Sequence, residues 1–376
     1  MYKLIIAIWL VLCFSSCSTN TNNQQNNNNT TSVTLSYAKR FTIKKEKDYT
    51  VLELLGNKTN TEVTATFILY KGKKPSYNKE AFYVKTPVQR VACMSSIYTT
   101  MIEKLNSLNT IVAIDNVDYY NNKLVQDAVQ QNKIVELSKG PHIEVEKTLT
   151  LKPDLLLTFG MGNPKNDVDV KLIQANLPIA ISLDHLEETP LARYEWIKFI
   201  ACFFNKETIA DSIFKSVETH YNELKALTKN VDSKPKVLTE MKYGDVWYVP
   251  AGNSFISHLI ADAGASYLWE DDHKTGSLPL SFENVYVKAK DCDVWINMYN
   301  INSKKELSSH DERYELFKAF KEDKLYNNNK IQNSKGFSYY WENGISNPDE
   351  VLADLIYIFH PALLPNHQFK FYKKIE

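Results

Sequence analysis

Short apolar strands alternate with helical patterns over most of this chain, from Val88 to the C-terminus. Such alternation restricts the fold to the α/β class with mostly parallel sheets, because each parallel strand needs a crossover connection to return. The pattern occurs twice, before and after Pro235. The predicted strands are residues 91–94, 111–114, 134–137, 155–158 and 179–181 in the first run, and 237–239, 246–249 and 294–297 in the second.

A helical segment separates the two runs. Thr189 is a capping residue, Pro190 takes the first helical position, and apolar residues recur at helical spacing over 191–204. A second helix is predicted over 208–227, and a last one begins at Asn347 and ends near His360. We therefore predict two α/β lobes joined by a long bridging helix, with the cleft between them as the binding site. The predicted boundaries are an N-terminal lobe over 87–188, the bridging helix and its following helix over 189–232, and a C-terminal lobe over 233–376.

The segment before the first lobe has a different pattern. Residues 33–86 alternate in polarity and are rich in β-branched side chains, which predicts antiparallel strands at 33–37, 41–43, 51–54 and 63–69. The sequence does not indicate a role for this β-rich extension.

The first 17 residues have the layout of a bacterial lipoprotein signal. Lys3 precedes an apolar run that is too short to cross a bilayer, and small residues follow directly ahead of Cys17. We expect Cys17 to be lipidated after cleavage. Residues 18–32 contain almost only Asn, Gln, Ser and Thr, a composition typical of a flexible tether. The prediction is a lipoprotein of the cell envelope, anchored to a membrane and facing the periplasm rather than the cell surface.

Composition excludes several other classes of function. Lys plus Arg and Asp plus Glu number 44 each, so the balance of charge gives no reason to propose nucleic acid as a partner. Beyond the signal and Cys17, three cysteines remain, and their spacing fits no metal or redox motif, so we expect buried free thiols at Cys93, Cys202 and Cys292. The eight histidines lack the spacing of a metal site, so a protein that binds bare metal ions is less favoured.

A local pattern is repeated in the two lobes. Val145-Glu146 precedes the strand at 155–158, and Phe282-Glu283 precedes the strand at 294–297 at a spacing two residues longer. We expect each glutamate at the exposed start of a short helix that leads to an outer strand. Two such carboxylates could contact two related arginines on a dimeric partner.

Several short motifs follow one another in a set order from Val88 to the C-terminus. They are Arg90-Val91, Val145-Glu146, Leu151-Lys152-Pro153-Asp154, Gly160-Met161-Gly162-Asn163, Trp247 to Phe255, Asp262-Ala263-Gly264-Ala265, Phe282-Glu283, Asn347-Pro348-Asp349 and Phe359-His360-Pro361. In these motifs the chain resembles the class III substrate-binding proteins of ABC importers, which deliver cobalamin, ferric siderophores and haem. The resemblance covers about three quarters of the precursor.

Family membership implies a role for the paired glutamates. Glu146 and Glu283 would dock the protein on permease arginines, where charge pairs chiefly set orientation and association rate. The implied partners are a permease dimer with its ATPase and the membrane that holds the lipid. The protein itself would be a monomer without a cofactor and without catalytic residues.

Loops that follow the predicted strands should line the ligand cleft. Aromatic residues dominate them, and flat rings suit a large, partly apolar metal chelate such as a corrinoid, a ferric siderophore or haem. Because Lys and Arg do not crowd these loops, cobalamin or another neutral corrinoid is slightly favoured. The candidates are Ser95, Ser96, Tyr98, Tyr119, Tyr120, Phe159, Met161, Tyr243, Trp247, Tyr248, Tyr299, Tyr339, Tyr340 and Trp341.

Two other classes of function are weighed against an importer component. A tethered enzyme would need a catalytic motif, but the sequence has no nucleophile elbow, zinc helix or phosphate loop, and Ser257 and His258 are adjacent and would point apart on a helix. A scaffold lipoprotein without transport would need neither a closed cleft nor paired glutamates. A bound small molecule would separate it from an importer component.

Overall fold

The computed structural model describes residues 30–56, 61–139, 142–161 and 167–376. The predicted signal, Cys17 and most of the predicted tether lie outside the described residues, as do Gly162 and Asn163. Of the described helices, none is long and apolar enough to span a membrane.

The extension forms a five-stranded sheet in chain order. Its first four strands are antiparallel as expected, while the fifth is parallel to the fourth. The first strand ends at Val33 and not at residue 37, and the backbone N–H groups of Ser36, Tyr37 and Ala38 donate to Glu195 instead of to a neighbouring strand. The strands are β1 Thr31–Val33, β2 Phe41–Lys45, β3 Tyr49–Leu55, β4 Val63–Tyr70 and β5 Phe82–Lys85.

The first lobe is an α/β layer with an all-parallel central sheet in the order β12, β11, β6, β7, β8. Its strands are β6 Val91–Cys93, β7 Ile111–Ile114, β8 Val135–Glu136, β9 Ser138–Lys139, β10 His142–Ile143, β11 Leu155–Phe159 and β12 Ile179–Ser182. Its helices are α1 Ser96–Lys104, α2 Lys123–Gln130, α3 Val145–Leu151 and α4 Val170–Gln174. The strands β9 and β10 form a separate antiparallel pair.

Three helices connect the lobes: α5 Pro190–Tyr194, α6 Trp196–Phe204 and α7 Glu207–Leu227. The sequence predicts that the helix over 191–204 crosses from one lobe to the other. In the structure the following helix, α7, makes this crossing. Ala210 and Phe214 on α7 belong to the core of the first lobe, and Tyr221 and Leu224 belong to the core of the second. α6 is apolar on nearly every side because it is covered by the first lobe and by the extension.

The second lobe has a central sheet in the order β16, β13, β18, β19, β20, parallel except at β20. Its strands are β13 Lys236–Thr239, β14 Lys242–Tyr243, β15 Val246–Pro250, β16 Ser266–Tyr267, β17 Ser277–Leu280, β18 Val294–Ile296, β19 Leu325–Asn327 and β20 Lys373–Lys374. Its helices are α8 Phe255–Asp262, α9 Phe282–Ala289, α10 Lys304–His310, α11 Lys318–Lys321, α12 Tyr339–Asn343 and α13 Pro348–Phe359.

Two sequence expectations about strands are wrong. β15 does not join the central sheet but forms an antiparallel sheet with β14 and β17, and its alternation of buried Trp247 with exposed Tyr248 fits such a half-solvated sheet. The strands after the two glutamates are not outer strands either. β11 lies between β12 and β6, and β18 lies between β13 and β19.

Two buried glutamates fasten the extension to the connecting helices. The carboxylate of Glu195 accepts hydrogen bonds from the backbone N–H groups of Ser36, Tyr37 and Ala38 at 2.8–3.0 Å. Glu187 accepts from the backbone N–H groups of Lys39 and Arg40 and from the indole of Trp196. Phe41 and Phe67 of the sheet pack their rings against Trp196 and Phe203 of α6. The extension therefore shares one hydrophobic core with the first lobe.

Candidate functional site

The carboxyl ends of the first lobe's strands surround a cavity of about 670 Å³. In parallel α/β sheets this edge is where ligands bind. The predicted residues Tyr119 and Phe159 line the cavity, and the described part of its wall contains no lysine or arginine. The other lining residues are Met94, Asp115, Ser138, His142, Ile143, Thr158, Asp167, Val168, Asp169 and Leu172.

Asp115 is a site residue that the sequence prediction missed. It directly follows β7 and accepts a hydrogen bond of 2.8 Å from the phenol of Tyr120. Burial raises the pKa of the Asp115 carboxyl to about 6, and the hydrogen bond from Tyr120 opposes this rise. The signal in the sequence is an acidic residue placed at the end of a fully apolar strand.

Three exposed tyrosines form a second wall, on the second lobe. The rings of Tyr243 and Tyr299 lie 6.4 Å apart between centroids, and Tyr248 is also exposed. The pKa of the Tyr299 phenol is raised by burial first and then by the nearby Glu240, Tyr243 and Tyr248. These three tyrosines, all predicted from the sequence, therefore lie around one spot with Glu240.

The backbone of this wall is strained. Glu240, Asn297 and Tyr299 have φ angles of 62°, 64° and 44°, in the left-handed region that non-glycine residues seldom adopt. The first two directly follow the adjacent strands β13 and β18, and Tyr299 follows two residues later. Such conformations cost on the order of 1–3 kcal/mol each and cluster at functional sites.

Glu240 is the second partly buried carboxyl that the sequence prediction missed. Burial raises its pKa to about 8, and among the described residues its carboxyl group has no hydrogen-bond or ion-pair partner. At neutral pH the group is therefore largely protonated. It lies in the second lobe as Asp115 lies in the first, just beyond the end of a central strand.

A loop of the second lobe links the two walls. The ring of Phe337 meets that of Tyr119 edge to face at 4.8 Å, and the amide of Asn333 donates to the carbonyl of Asp118 at 2.8 Å. The buried carboxylate of Glu342 accepts from the backbone N–H groups of residues 121 and 122 at 2.6 and 3.1 Å. The cleft is thus closed along one side by contacts between residues 118–122 and 333–342.

Several predicted cleft residues lie elsewhere. Tyr98, Tyr120, Trp247 and Tyr340 are each at most 2 % exposed, so they pack the lobes and present no surface to a ligand. Their polar atoms serve internal bonds, as when the phenol of Tyr98 donates to Asp184 at 2.7 Å. Tyr339 stacks on Phe371 in the second lobe. The sequence could not separate these rings from the exposed ones because both kinds follow apolar strands.

The remaining candidates lie near the cleft. Ser95 precedes α1 as its capping residue and Ser96 begins the helix, directly after Met94 of the cavity wall. Met161 is exposed two residues after Phe159, and Trp341 is exposed on α12.

Glu146 and Glu283 stand where the sequence places them, in the first turns of α3 and α9. Their side chains are 88 % and 70 % exposed. Lys171 lies 3.9 Å from Glu146, and Arg313 lies 3.2 Å from Glu283 while also pairing with Asp311. Exposed pairs of this kind are weak and leave both carboxylates accessible to a partner.

Cys93, Cys202 and Cys292 are buried free thiols, as expected. Burial raises the pKa of Cys93 and Cys292 to about 12. Within the described residues no group of three or more His, Cys, Asp or Glu side chains could hold a metal ion.

Comparison with known proteins agrees with this architecture. The family model described as "Periplasmic binding protein" matches residues 91–330. An uncharacterized lipoprotein of Methanocaldococcus jannaschii is 26% identical over 330 residues, which cover 83% of this chain and 77% of the relative.

Solved structures share the fold. The apo periplasmic haem-binding protein of Roseiflexus sp. RS-1 aligns with a TM-score of 0.55 at 18% identity, covering 73% of this chain and 99% of that one. A protein of the Fe3+-hydroxamate transport system of Saccharomonospora viridis aligns with a TM-score of 0.55 at 15% identity, covering 73% and 94%. The matched model spans both lobes and the crossing between them, and it confirms the resemblance drawn from the sequence. This chain belongs to the periplasmic binding protein family.

Proposed function

We propose that this protein captures a metal chelate in the cleft between its lobes and delivers it to the permease of an ABC importer. One observation carries the proposal. Seven aromatic side chains are exposed in the described part of the chain, and all seven belong to the two walls or to the segment that links them. They are Tyr119, Phe159, Tyr243, Tyr248, Tyr299, Phe337 and Trp341. Soluble proteins seldom leave so many rings in water without a ligand to cover them.

The charge of the cleft favours one class of chelate. Apart from Tyr119, the ionisable groups on the described wall of the first lobe are carboxyls and one imidazole, from Asp115, His142, Asp167 and Asp169. Carboxylates repel a triscatecholate complex or the propionates of haem. A neutral corrinoid or a neutral to cationic hydroxamate complex of iron fits better, and cobalamin remains the first choice.

Delivery follows from the two exposed glutamates. Glu146 and Glu283 begin equivalent short helices, one on each lobe, so a two-fold symmetric permease could meet both with equivalent arginines. The lipid on Cys17 would keep the protein at the membrane. The relative from Methanocaldococcus jannaschii carries the word lipoprotein in its name, which supports this part of the proposal.

Titration tests the proposal. The chain from Ser18 onward is mixed with cyanocobalamin, a ferric hydroxamate, a ferric catecholate and haemin, and the quenching of tryptophan fluorescence is followed. We expect saturable binding of one neutral or cationic chelate. Tyr299→Ala should weaken it at least tenfold, while Leu227→Ala, which removes an exposed apolar side chain at the end of α7, should leave it unchanged.

Two outcomes would contradict the proposal. Binding of none of the chelates would favour a scaffold lipoprotein. Binding that Tyr299→Ala and Phe159→Ala leave intact would place the ligand outside this cleft.

A further inference from the structure

Lysine residues are concentrated in the N-terminal sheet. Residues 33–86 contain 11 Lys and Arg against five Asp and Glu, a formal charge of +6 in a chain whose total is zero. The proposed capture and delivery of a chelate do not involve this sheet. Its positive charge therefore indicates a second partner, one with negative charge.

The strand register brings many of these lysines to one end of the sheet. Thr50 pairs with Lys45 and Tyr49 pairs with Tyr70, so the turn after β2 and the loop after β4 lie side by side. Together with the end of α6 they border an open groove of about 820 Å³. Its lysines are Lys45, Lys47, Lys71, Lys73 and Lys74, and its acidic residues are Glu46, Asp48 and Glu207.

Most of the lysines of this groove form no ion pair with the described residues. Lys45, Lys47, Lys71 and Lys73 are exposed and form no ion pair with any residue that the structure describes. Lys74 lies 4.1 Å above the ring of Tyr83. On the acidic side, Glu46 accepts a hydrogen bond of 2.7 Å from the hydroxyl of Thr30. The groove thus presents more free positive than negative charge.

The described part of the chain begins at this groove. Thr31 of the edge strand β1 pairs with Lys45, and Thr30 contacts Glu46, so the point to which the preceding residues connect lies at the rim of the groove. Twelve residues lie between Cys17 and Thr30. Even a fully extended chain of that length spans at most about 45 Å, so a lipid on Cys17 holds the groove close to the bilayer.

We propose that this lysine groove docks on the anionic lipid headgroups of the membrane that holds the anchor. The inference rests on the proposed lipidation of Cys17. Each lysine near an anionic surface strengthens association about fivefold. A soluble polyanion offers similar phosphate chemistry, but the connection of the tether at the groove rim favours the lipid surface. The extension would then hold the body flat on the membrane, within reach of a permease.

Vesicle sedimentation tests the proposal with the unlipidated chain from Ser18 to Glu376, which contains every residue of both hydrophobic cores. We expect it to sediment with vesicles of phosphatidylcholine mixed with phosphatidylglycerol, but not with vesicles of phosphatidylcholine alone. Salt at about 0.5 M should release it, because the Debye length falls well below 10 Å. The double variant Lys71→Gln, Lys73→Gln should lower the partition coefficient about 25-fold.

A matched control removes the same charge elsewhere. Lys305→Gln with Lys324→Gln neutralises two exposed lysines of the second lobe that form no ion pair with the described residues, and it should change the partition coefficient less than twofold. Equal loss in the two double variants would overturn the proposal in favour of net charge alone. Release by millimolar inorganic phosphate would overturn it in favour of a small-anion site, and failure to bind anionic vesicles would overturn it outright.

This test is independent of the importer proposal. Chelate titration of the lysine variants should match that of the parent chain, since the groove and the cleft share no residue. A protein that binds chelates but not vesicles refutes only the membrane inference.

Discussion

We expect the carboxyl of Glu240, which has no partner among the described residues, to make the stability of this protein depend on pH. The group directly follows β13 and is partly buried, and desolvation raises its pKa from 4.5 to about 8. The folded protein therefore holds a proton that the unfolded chain releases at lower pH. We expect Glu240→Gln, which keeps the size of the side chain and removes its titration, to abolish most of this dependence.

The sign and size of this pH dependence follow from the linkage between proton binding and folding. Between pH 4.5 and about 8 the folded state binds more protons at this position than the unfolded state, so the free energy of unfolding falls as pH rises. Each unit of pKa shift corresponds to about 1.4 kcal/mol. The loss from pH 4.5 to pH 9 attributable to Glu240 is therefore on the order of 3–5 kcal/mol. At pH 9 the glutamine variant should be more stable than the parent chain by about this amount.

Urea denaturation at pH 5, 7 and 9, followed by tryptophan fluorescence, measures this effect. The difference between Glu240→Gln and the parent chain should grow with pH, while Glu315→Gln, which changes an exposed glutamate of the same lobe, should run parallel to the parent. If the Glu240→Gln and parent curves stay parallel from pH 5 to pH 9, the carboxyl is ionised in the fold and the reasoning fails.

Three further predictions follow from buried and exposed carboxyls and thiols. Glu195→Ala removes a buried carboxylate that accepts from three backbone N–H groups, and it should lower the free energy of unfolding by about 3–5 kcal/mol in urea denaturation; a loss below 1 kcal/mol would mean that water replaces the carboxylate. Glu146→Arg or Glu283→Arg should abolish the stimulation of permease ATPase activity yet leave the chelate dissociation constant within twofold, and a parallel loss of both would contradict docking. Cys93 and Cys292 should resist a thiol reagent at pH 8 until the protein unfolds, because burial raises their pKa to about 12; rapid labelling of the folded protein would show that one of the thiols is accessible.

The sequence predicts the lobes well because their strands are buried on both faces and read as continuous apolar runs. All three residues of β18, for example, are buried. It fails at β15, because alternation shows only that one face is buried and does not reveal which sheet the strand joins. A pattern of neighbouring residues is also the reason that some of the predicted aromatic cleft residues are exposed and others are buried, because it does not show which side of an element faces the cleft. Tyr243 and Trp247 lie in one hairpin, yet one is 74 % exposed and the other fully buried.

The carboxyls of the site were harder to foresee. Asp115 and Glu240 each follow an apolar strand, but acidic residues in such places are usually solvated. Only the packing around Glu240 and the left-handed turn that it occupies set it apart. The contact between Glu342 and residues 121 and 122 joins positions more than 200 residues apart, which no local pattern predicts.

The connecting helices limit how the cleft can open. α7 runs 21 residues without proline or glycine and is fixed in both cores, so it resists bending between the lobes. The extension adds to this stiffness on the side of the first lobe, because Glu195 and Glu187 tie its backbone to the start of α6 and to the segment before α5. What remains adjustable is the polar contact between residues 118–122 and 333–342, where a few hydrogen bonds and the Tyr119–Phe337 ring pair hold the walls together. If a chelate binds in the cleft as proposed, we expect its entry to change that contact rather than to swing whole lobes, and Tyr119 and Phe337 would part to admit it.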